Sequence, residues 1–287
     1  MKNIAVLGLG AMGARMAENF LKSGYKLKIW NRTADKGGSL VKLGAQQFST
    51  PSEAVKNVDV VISMLTDDKA SQSVWLETKT GALSGLHKDT VVIECSTVTP
   101  QWSIELSNNI RAMDAQFIEA PVIGSRPQAE NSQLIHLIGG EKNILKKVQD
   151  VLSVNSSAIH YIGSVGHAMS MKLAVNGLFG VQVAALSEML GTLSRVGIDK
   201  NSTLSLLSKL PITSPALIGI GLGMSEDNYT PLFPVDLVEK DFSYLLQLAK
   251  DQSASIPMAN AALDVYQKAQ SSGFGDNNIS GVVKMYL

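Results

Sequence analysis

The run Gly8-Leu9-Gly10-Ala11-Met12-Gly13 constrains this chain more than any other feature, because it stands between an apolar run at 4–7 and a helical pattern at 14–23. In that setting each glycine has a reason. Gly8 makes a tight turn, Gly10 lets a pyrophosphate approach the backbone, and Gly13 lets helix and strand pack closely. Phosphates would then rest on free N–H groups at the positive end of a helix that begins near Ala11. A glycine pattern this short can also be a plain structural turn. What favours a dinucleotide site is that strand, turn, helix and second strand follow in register.

The second strand, 27–30, leads into Asn31-Arg32-Thr33. An acidic residue there would accept from a ribose 2′-hydroxyl, whereas an arginine accommodates a 2′-phosphate. Arg32 can pair a phosphate bidentately and lie on an adenine, with Asn31 and Thr33 adding hydrogen bonds, so NADP(H) is expected over NAD(H). The plain reading is a solvated arginine in a turn.

Further strands are expected at 58–64, 90–94, 117–122 and 134–139, with helices at 35–43 and 100–113 between them. Strands alternating with helices make a mostly parallel sheet of crossover units. After Tyr161 the pattern changes. Residues 168–195 form one helix-like segment, apolar on nearly every side, about 40 Å long and expected to be buried. Prolines 211, 215, 231, 234 and 257 divide the rest into further helices. The expected fold is α/β: a Rossmann-type doubly wound sheet (domain 1–163, NADP-binding), then a long interdomain helix and an all-α domain (164–287) for substrate and dimerisation.

With 25 basic against 25 acidic side chains the formal charge is zero, which argues against a nucleic-acid or membrane-surface partner. Only 17% of residues are charged and 45% are hydrophobic, so a thick core or a face covered by a second subunit is expected. Cys95 is the single cysteine, no Cys/His cluster offers a metal site, and the first ten residues do not read as a secretory signal. A reducing cytoplasm and no membrane span are therefore expected.

Lys172 and Asn176 lie four residues apart, on one face of the long helix. Taken alone they read as a snorkelling lysine and a locally bonded asparagine. Their place in an apolar helix just past the domain boundary favours proton transfer, since burial lowers an ammonium pKa.

With these residues in view the chain resembles the β-hydroxyacid dehydrogenase family, which includes 3-hydroxyisobutyrate dehydrogenases and the glyoxylate and succinic semialdehyde reductases. The resemblance covers essentially the whole length. It rests on residues 8–13, Met64-Leu65 followed by Asp67, Glu94-Cys95-Ser96-Thr97 running to Pro100, Glu119-Ala120-Pro121-Val122 with Gly124-Ser125, Gly163 to Lys172 with Asn176, and Lys240-Asp241. It implies that Lys172 is the general acid of a carbonyl reduction, acting as base in reverse, with Asn176 holding substrate and lysine. It implies further that Met64, Leu65, Thr97 and Lys240 meet the cofactor, an NADP(H). Ser96, Val122, Ile123, Gly124, Ser125, Lys172 and Phe233 would meet a small aldehyde, keto acid or hydroxy acid. Lys240 and Phe233 would close over it, and a homodimer or homotetramer is implied.

Three departures from the family pattern bear on the substrate. Ile123 stands where a serine is usual, Ala168 where a third glycine is common, and Arg126 follows closely enough to replace the lost hydroxyl. The alternatives are an imine reductase on the same frame, whose members usually replace the lysine, and a dinucleotide-binding scaffold without activity, whose members tend to lose it.

Overall fold

The computed structural model describes residues 2–287. Among them are nine strands: β1 (Asn3–Leu7), β2 (Lys26–Trp30), β3 (Gln46–Gln47), β4 (Val60–Ser63), β5 (Val91–Glu94), β6 (Gln116–Glu119), β7 (Val122–Ile123), β8 (Leu134–Gly140) and β9 (Ser156–Gly163). The α-helices are α1 (Gly13–Lys22), α2 (Gly38–Lys42), α3 (Pro51–Val55), α4 (Asp68–Leu76), α5 (Pro100–Arg111), α6 (Arg126–Glu130), α7 (Lys142–Ser153) and α8 (His167–Arg195). They continue as α9 (Lys200–Leu207), α10 (Pro215–Ser225), α11 (Val235–Asp251) and α12 (Pro257–Ala269). Two compact units result, Met1–Lys172 and Leu173–Leu287, dividing within α8.

The first unit is built on one sheet in the order β3-β2-β1-β4-β5-β6-β8-β7, with β9 added to β8. The strands from β3 to β6 run parallel, β8 is antiparallel to β6 and β7, and β9 is parallel to β8. The order 3-2-1-4-5-6 is that of a Rossmann sheet. Both faces are covered, which is why β4 and β5 are apolar almost without interruption. Val6, Ile62, Ile93 and Ile118 pack with Met16 and Phe20 of α1 and Val148 of α7. On the other face Leu7, Val61, Val92 and Phe117 pack with Trp75 of α4 and Trp102 and Leu106 of α5.

The structure departs from the sequence expectation in several elements. The strand expected at 117–122 is two strands, broken at Ala120-Pro121 because proline supplies no ladder donor. The helix expected at 35–43 is a 3₁₀ turn, Ala34–Gly37, followed by the short α2. Strand β9 was not expected. Its side chains are mostly half-buried or exposed, so no alternating apolar pattern marks it.

The second unit is helical. Val183, Leu186 and Leu190 of α8 pack with Val238 and Phe242 of α11, Tyr266 of α12, and Val282 and Val283 near the end of the chain. At Gly180 of α8 a Cβ would fall on the Phe242 ring, so the two helices approach at backbone distance. The Tyr266 hydroxyl donates to the Gly180 carbonyl at 2.8 Å, and its ring stacks on Phe242 at 5.5 Å. By length and composition alone α8 could cross a membrane, but its core residues are packed inside the protein. The expected burial of α8 is incomplete within the single chain: Met171, Leu178 and Met189 are exposed.

Candidate active site

The carboxyl ends of five parallel strands finish level. Trp30 pairs with Leu7, Leu7 with Ser63, Ser63 with Glu94 and Glu94 with Glu119. The loops after them therefore line one edge, and the strand order reverses between β1 and β4, where open α/β sheets bind ligands.

The glycine loop has the form a pyrophosphate needs. Gly8 has φ +98°, and a Cβ there would strike the Met64 carbonyl; one at Gly13 would strike the Gly8 carbonyl. At Gly10 a Cβ would meet only open space. Among the described residues the N–H groups of Gly10, Ala11 and Met12 have no acceptor in the protein, and Met12 gives α1 no side-chain cap. Leu9 is buried and donates its N–H to Asn31 Oδ1 at 2.8 Å, while Asn31 Nδ2 donates to the Thr33 carbonyl. Asn31 thus ties the two loops together and is only secondarily available to a ligand. Arg32 and Thr33 are exposed beside it, and Arg32 has no hydrogen bond or ion pair among the described residues.

The next two loops are laced by side chains. The Leu65 N–H donates to Ser96 Oγ at 2.7 Å, and Asp68 accepts the Thr99 N–H and hydroxyl at 2.9 and 2.6 Å. Ser96, expected to touch substrate, is fully buried with its hydroxyl engaged in this way. It shapes the loop that presents Met64 and Leu65, both half-buried, beside half-buried Thr97. Beneath it the buried Glu94 accepts the Ser96 N–H at 2.9 Å, and burial raises its carboxyl pKa. Cys95 is buried, and its thiol is pushed up by burial first and by Glu94 second, so it is an inert core residue.

After β6 the chain passes through buried Val122 and half-buried Ile123 to Gly124, exposed at φ +125°. The Ser125 N–H donates to Gln128 Oε1 at 2.9 Å, so one backbone donor expected for a substrate carboxylate is already engaged. In Arg126 the buried Nε has no hydrogen-bond partner.

Helix α8 opens against Glu119, whose Oε1 accepts the Ala168 and Met169 N–H groups at 2.7 and 3.3 Å. Lys172 follows one turn later and is buried. In the helical unit Asn176 Nδ2 donates to Asp241 Oδ2 at 2.6 Å, and Lys240 Nζ lies 3.0 Å from Asp241 Oδ1. The Lys240 ammonium also stands over the Tyr244 ring at 4.8 Å. Phe233 is half-buried, with its backbone held by Asn278 Oδ1 at 2.9 Å. Two residues escaped the sequence reading. Asp241, which fixes both Asn176 and Lys240, and Glu119, which holds α8, were visible only as members of family motifs.

A profile described as the NAD binding domain of 6-phosphogluconate dehydrogenase matches residues 3–163, and one described as NAD-binding of NADP-dependent 3-hydroxyisobutyrate dehydrogenase matches 166–286. Glyoxylate/succinic semialdehyde reductase 1 of Arabidopsis thaliana is 35% identical over 98% of this chain and 97% of its own. The chain belongs to the 3-hydroxyisobutyrate dehydrogenase family. It is accordingly an oxidoreductase that uses a nicotinamide dinucleotide and acts on CH–OH groups. The human cytokine-like nuclear factor N-PAC is 29% identical over the whole of this chain, which spans 52% of that protein. Among solved structures, a 3-hydroxyisobutyrate dehydrogenase of Mycobacterium tuberculosis determined with L-serine has the same fold, with a TM-score of 0.90, 23% identity and 99% of both chains covered. An imine reductase from a Pseudomonas species is more distant, at TM-score 0.64, 20% identity and coverage of 99% and 98%.

Proposed function

We propose that this member of the family is an NADPH-dependent reductase of small aldehydes that carry a carboxylate, with Lys172 as the general acid. The observation that carries the reading is the placement of one buried lysine a single turn into α8, in the unit whose glycine loop leaves three N–H groups without acceptors.

Gly10, Ala11 and Met12 would hold the pyrophosphate through those groups, and Arg32 with Thr33 the 2′-phosphate. The dinucleotide, when bound, supplies the hydride. Lys172 gives a proton from Nζ to the carbonyl oxygen and takes it back in the reverse direction. Asn176, one turn further on α8 and fixed by Asp241, orients the substrate oxygen. Gly124 and Arg126 take the carboxylate, and Ile123 makes the adjoining wall apolar. That wall favours a substrate with methylenes between aldehyde and carboxylate over one with none. The resemblance to a relative named for both glyoxylate and succinic semialdehyde supports this class.

The test is NADPH oxidation against aldehydes and keto acids of two to five carbons, with a cyclic imine included. Succinic semialdehyde is expected to give the highest kcat/KM, glyoxylate a lower one and the imine none. Turnover of the imine alone, or of nothing in the panel, would overturn the reading.

A further inference from the structure

Two carboxylates are fully buried on neighbouring strands, Glu94 and Glu119, paired in register at the ends of β5 and β6. The first holds the loop that carries Ser96. The second has no ligand-binding role, and its hydrogen bonds run to a different place, the first turn of α8.

Every polar contact of Glu119 leads to α8 or to its support. Oε1 accepts the N–H groups of Ala168 and Met169, and Oε2 accepts the Ser103 hydroxyl from α5 at 2.6 Å. Opposite it on β8 stands Gly139, where a Cβ would fall on Glu119 Oε1, so the sheet omits a side chain to make room for the carboxylate. Burial raises the Glu119 pKa, and the hydrogen bonds from Ser103 and from the backbone of 166–169 oppose that shift.

We propose that Glu119 is a positioning residue for the reaction: it fixes the first turn of α8 and thereby sets where Lys172 delivers its proton. Ala168 and Lys172 are four residues apart, about 6 Å along the axis, so a fixed first turn leaves the lysine Cα little freedom. Side chains on a helix lean toward its N-terminus, which lays the lysine stem over the turn that Glu119 grips. An acceptor for these N–H groups also offsets the positive end of the helix beside an ammonium. Ser or Thr, the usual caps, would come from the helix's own leading residue; here the cap belongs to the sheet and ties the helix to the strand ends that carry the cofactor loops.

The inference rests on the assignment of Lys172, and the test separates the two. In the full-length enzyme, Glu119→Gln keeps the shape and one acceptor but removes the charge. Its kcat for succinic semialdehyde is expected to fall threefold or more, while the NADPH dissociation constant from fluorescence titration stays within twofold. The primary isotope effect on kcat with 4-deuterated NADPH is expected to be no smaller than the parent's, because chemistry has become slower relative to product release. A kcat within threefold of the parent, an isotope effect that shrinks, or NADPH affinity lost in proportion to kcat overturns the proposal. Should Glu119→Gln fail to fold, Ser103→Ala is read instead, with at least a twofold fall in kcat expected at unchanged NADPH affinity and unchanged turnover as the contrary result. If Lys172→Ala retains turnover, the assignment of the lysine has failed; if it loses turnover and Glu119→Gln does not, only the positioning role has.

Discussion

Arg32 is the residue on which cofactor choice is proposed to turn. It is exposed, it has no partner among the described residues, and it follows the strand whose end is bonded to the glycine loop. A charge-assisted hydrogen bond is worth about 1.5–3 kcal/mol, so Arg32→Ala is expected to weaken NADPH binding roughly 10- to 100-fold and leave NADH binding within threefold. Titration of both cofactors checks this. Equal loss for the two would show that the residue supports the loop and does not read the phosphate. Sequence reasoning served well at this scale where a backbone demand leaves one residue type, as at Gly8, whose φ of +98° and contact with Met64 exclude a side chain. It served less well for hydroxyls and amides. Ser96 and Asn31 have the chemistry of ligands, but both are engaged by backbone N–H groups of distant loops, which no local pattern reveals.

Among the elements, β1, β4 and β5 were legible because burial on both faces makes them near-continuous apolar runs, and α8 because its apolar stretch is far too long for a strand. Strand β9 was not, since it depends on the free edge of β8 and not on its own composition. The same edge holds a titrating group. His136 on β8 is buried, with Nδ1 2.8 Å from Ser156 Oγ, and burial pulls its pKa from 6.5 to about 4. Between those values the unfolded chain binds a proton that the folded one refuses, so stability is lost as the pH drops from 6.5 towards 4 and regained as it rises. The raised carboxyls of Glu94 and Glu119 act in the opposite sense, binding protons more readily when folded. The histidine contribution is therefore read as a difference: between pH 7 and pH 4.5 the parent is expected to lose about 2–3 kcal/mol more stability than His136→Asn in urea unfolding. Identical losses would remove the histidine as the cause.

For the whole molecule, zero net charge and a low charge density are joined to apolar surface on the helical unit. Leu178 and Met189 of α8, Leu206 of α9, Ile212, and Leu222 of α10 are all exposed in the single chain. Such a surface on one unit is what a second copy would cover, and a homodimer or homotetramer is proposed on that ground. Sedimentation at micromolar concentration is expected to give a mass at least twice 30.6 kDa. Ile212→Asp with Leu222→Asp is expected to shift it to the monomer, and a parent that sediments as a monomer would contradict the proposal. With no overall field to attract an anion, substrate and cofactor must be drawn by individual groups. Lys172 is the one proposed to stand at the reacting carbonyl. A positioned general acid contributes roughly a hundred- to ten-thousand-fold in rate. The most direct measurement is the steady-state turnover of Lys172→Ala with NADPH and succinic semialdehyde, alongside its NADPH affinity. The expected result is a fall in kcat of about that size with the cofactor bound as tightly as by the parent; turnover near the parent's would show that Lys172 is not the proton donor.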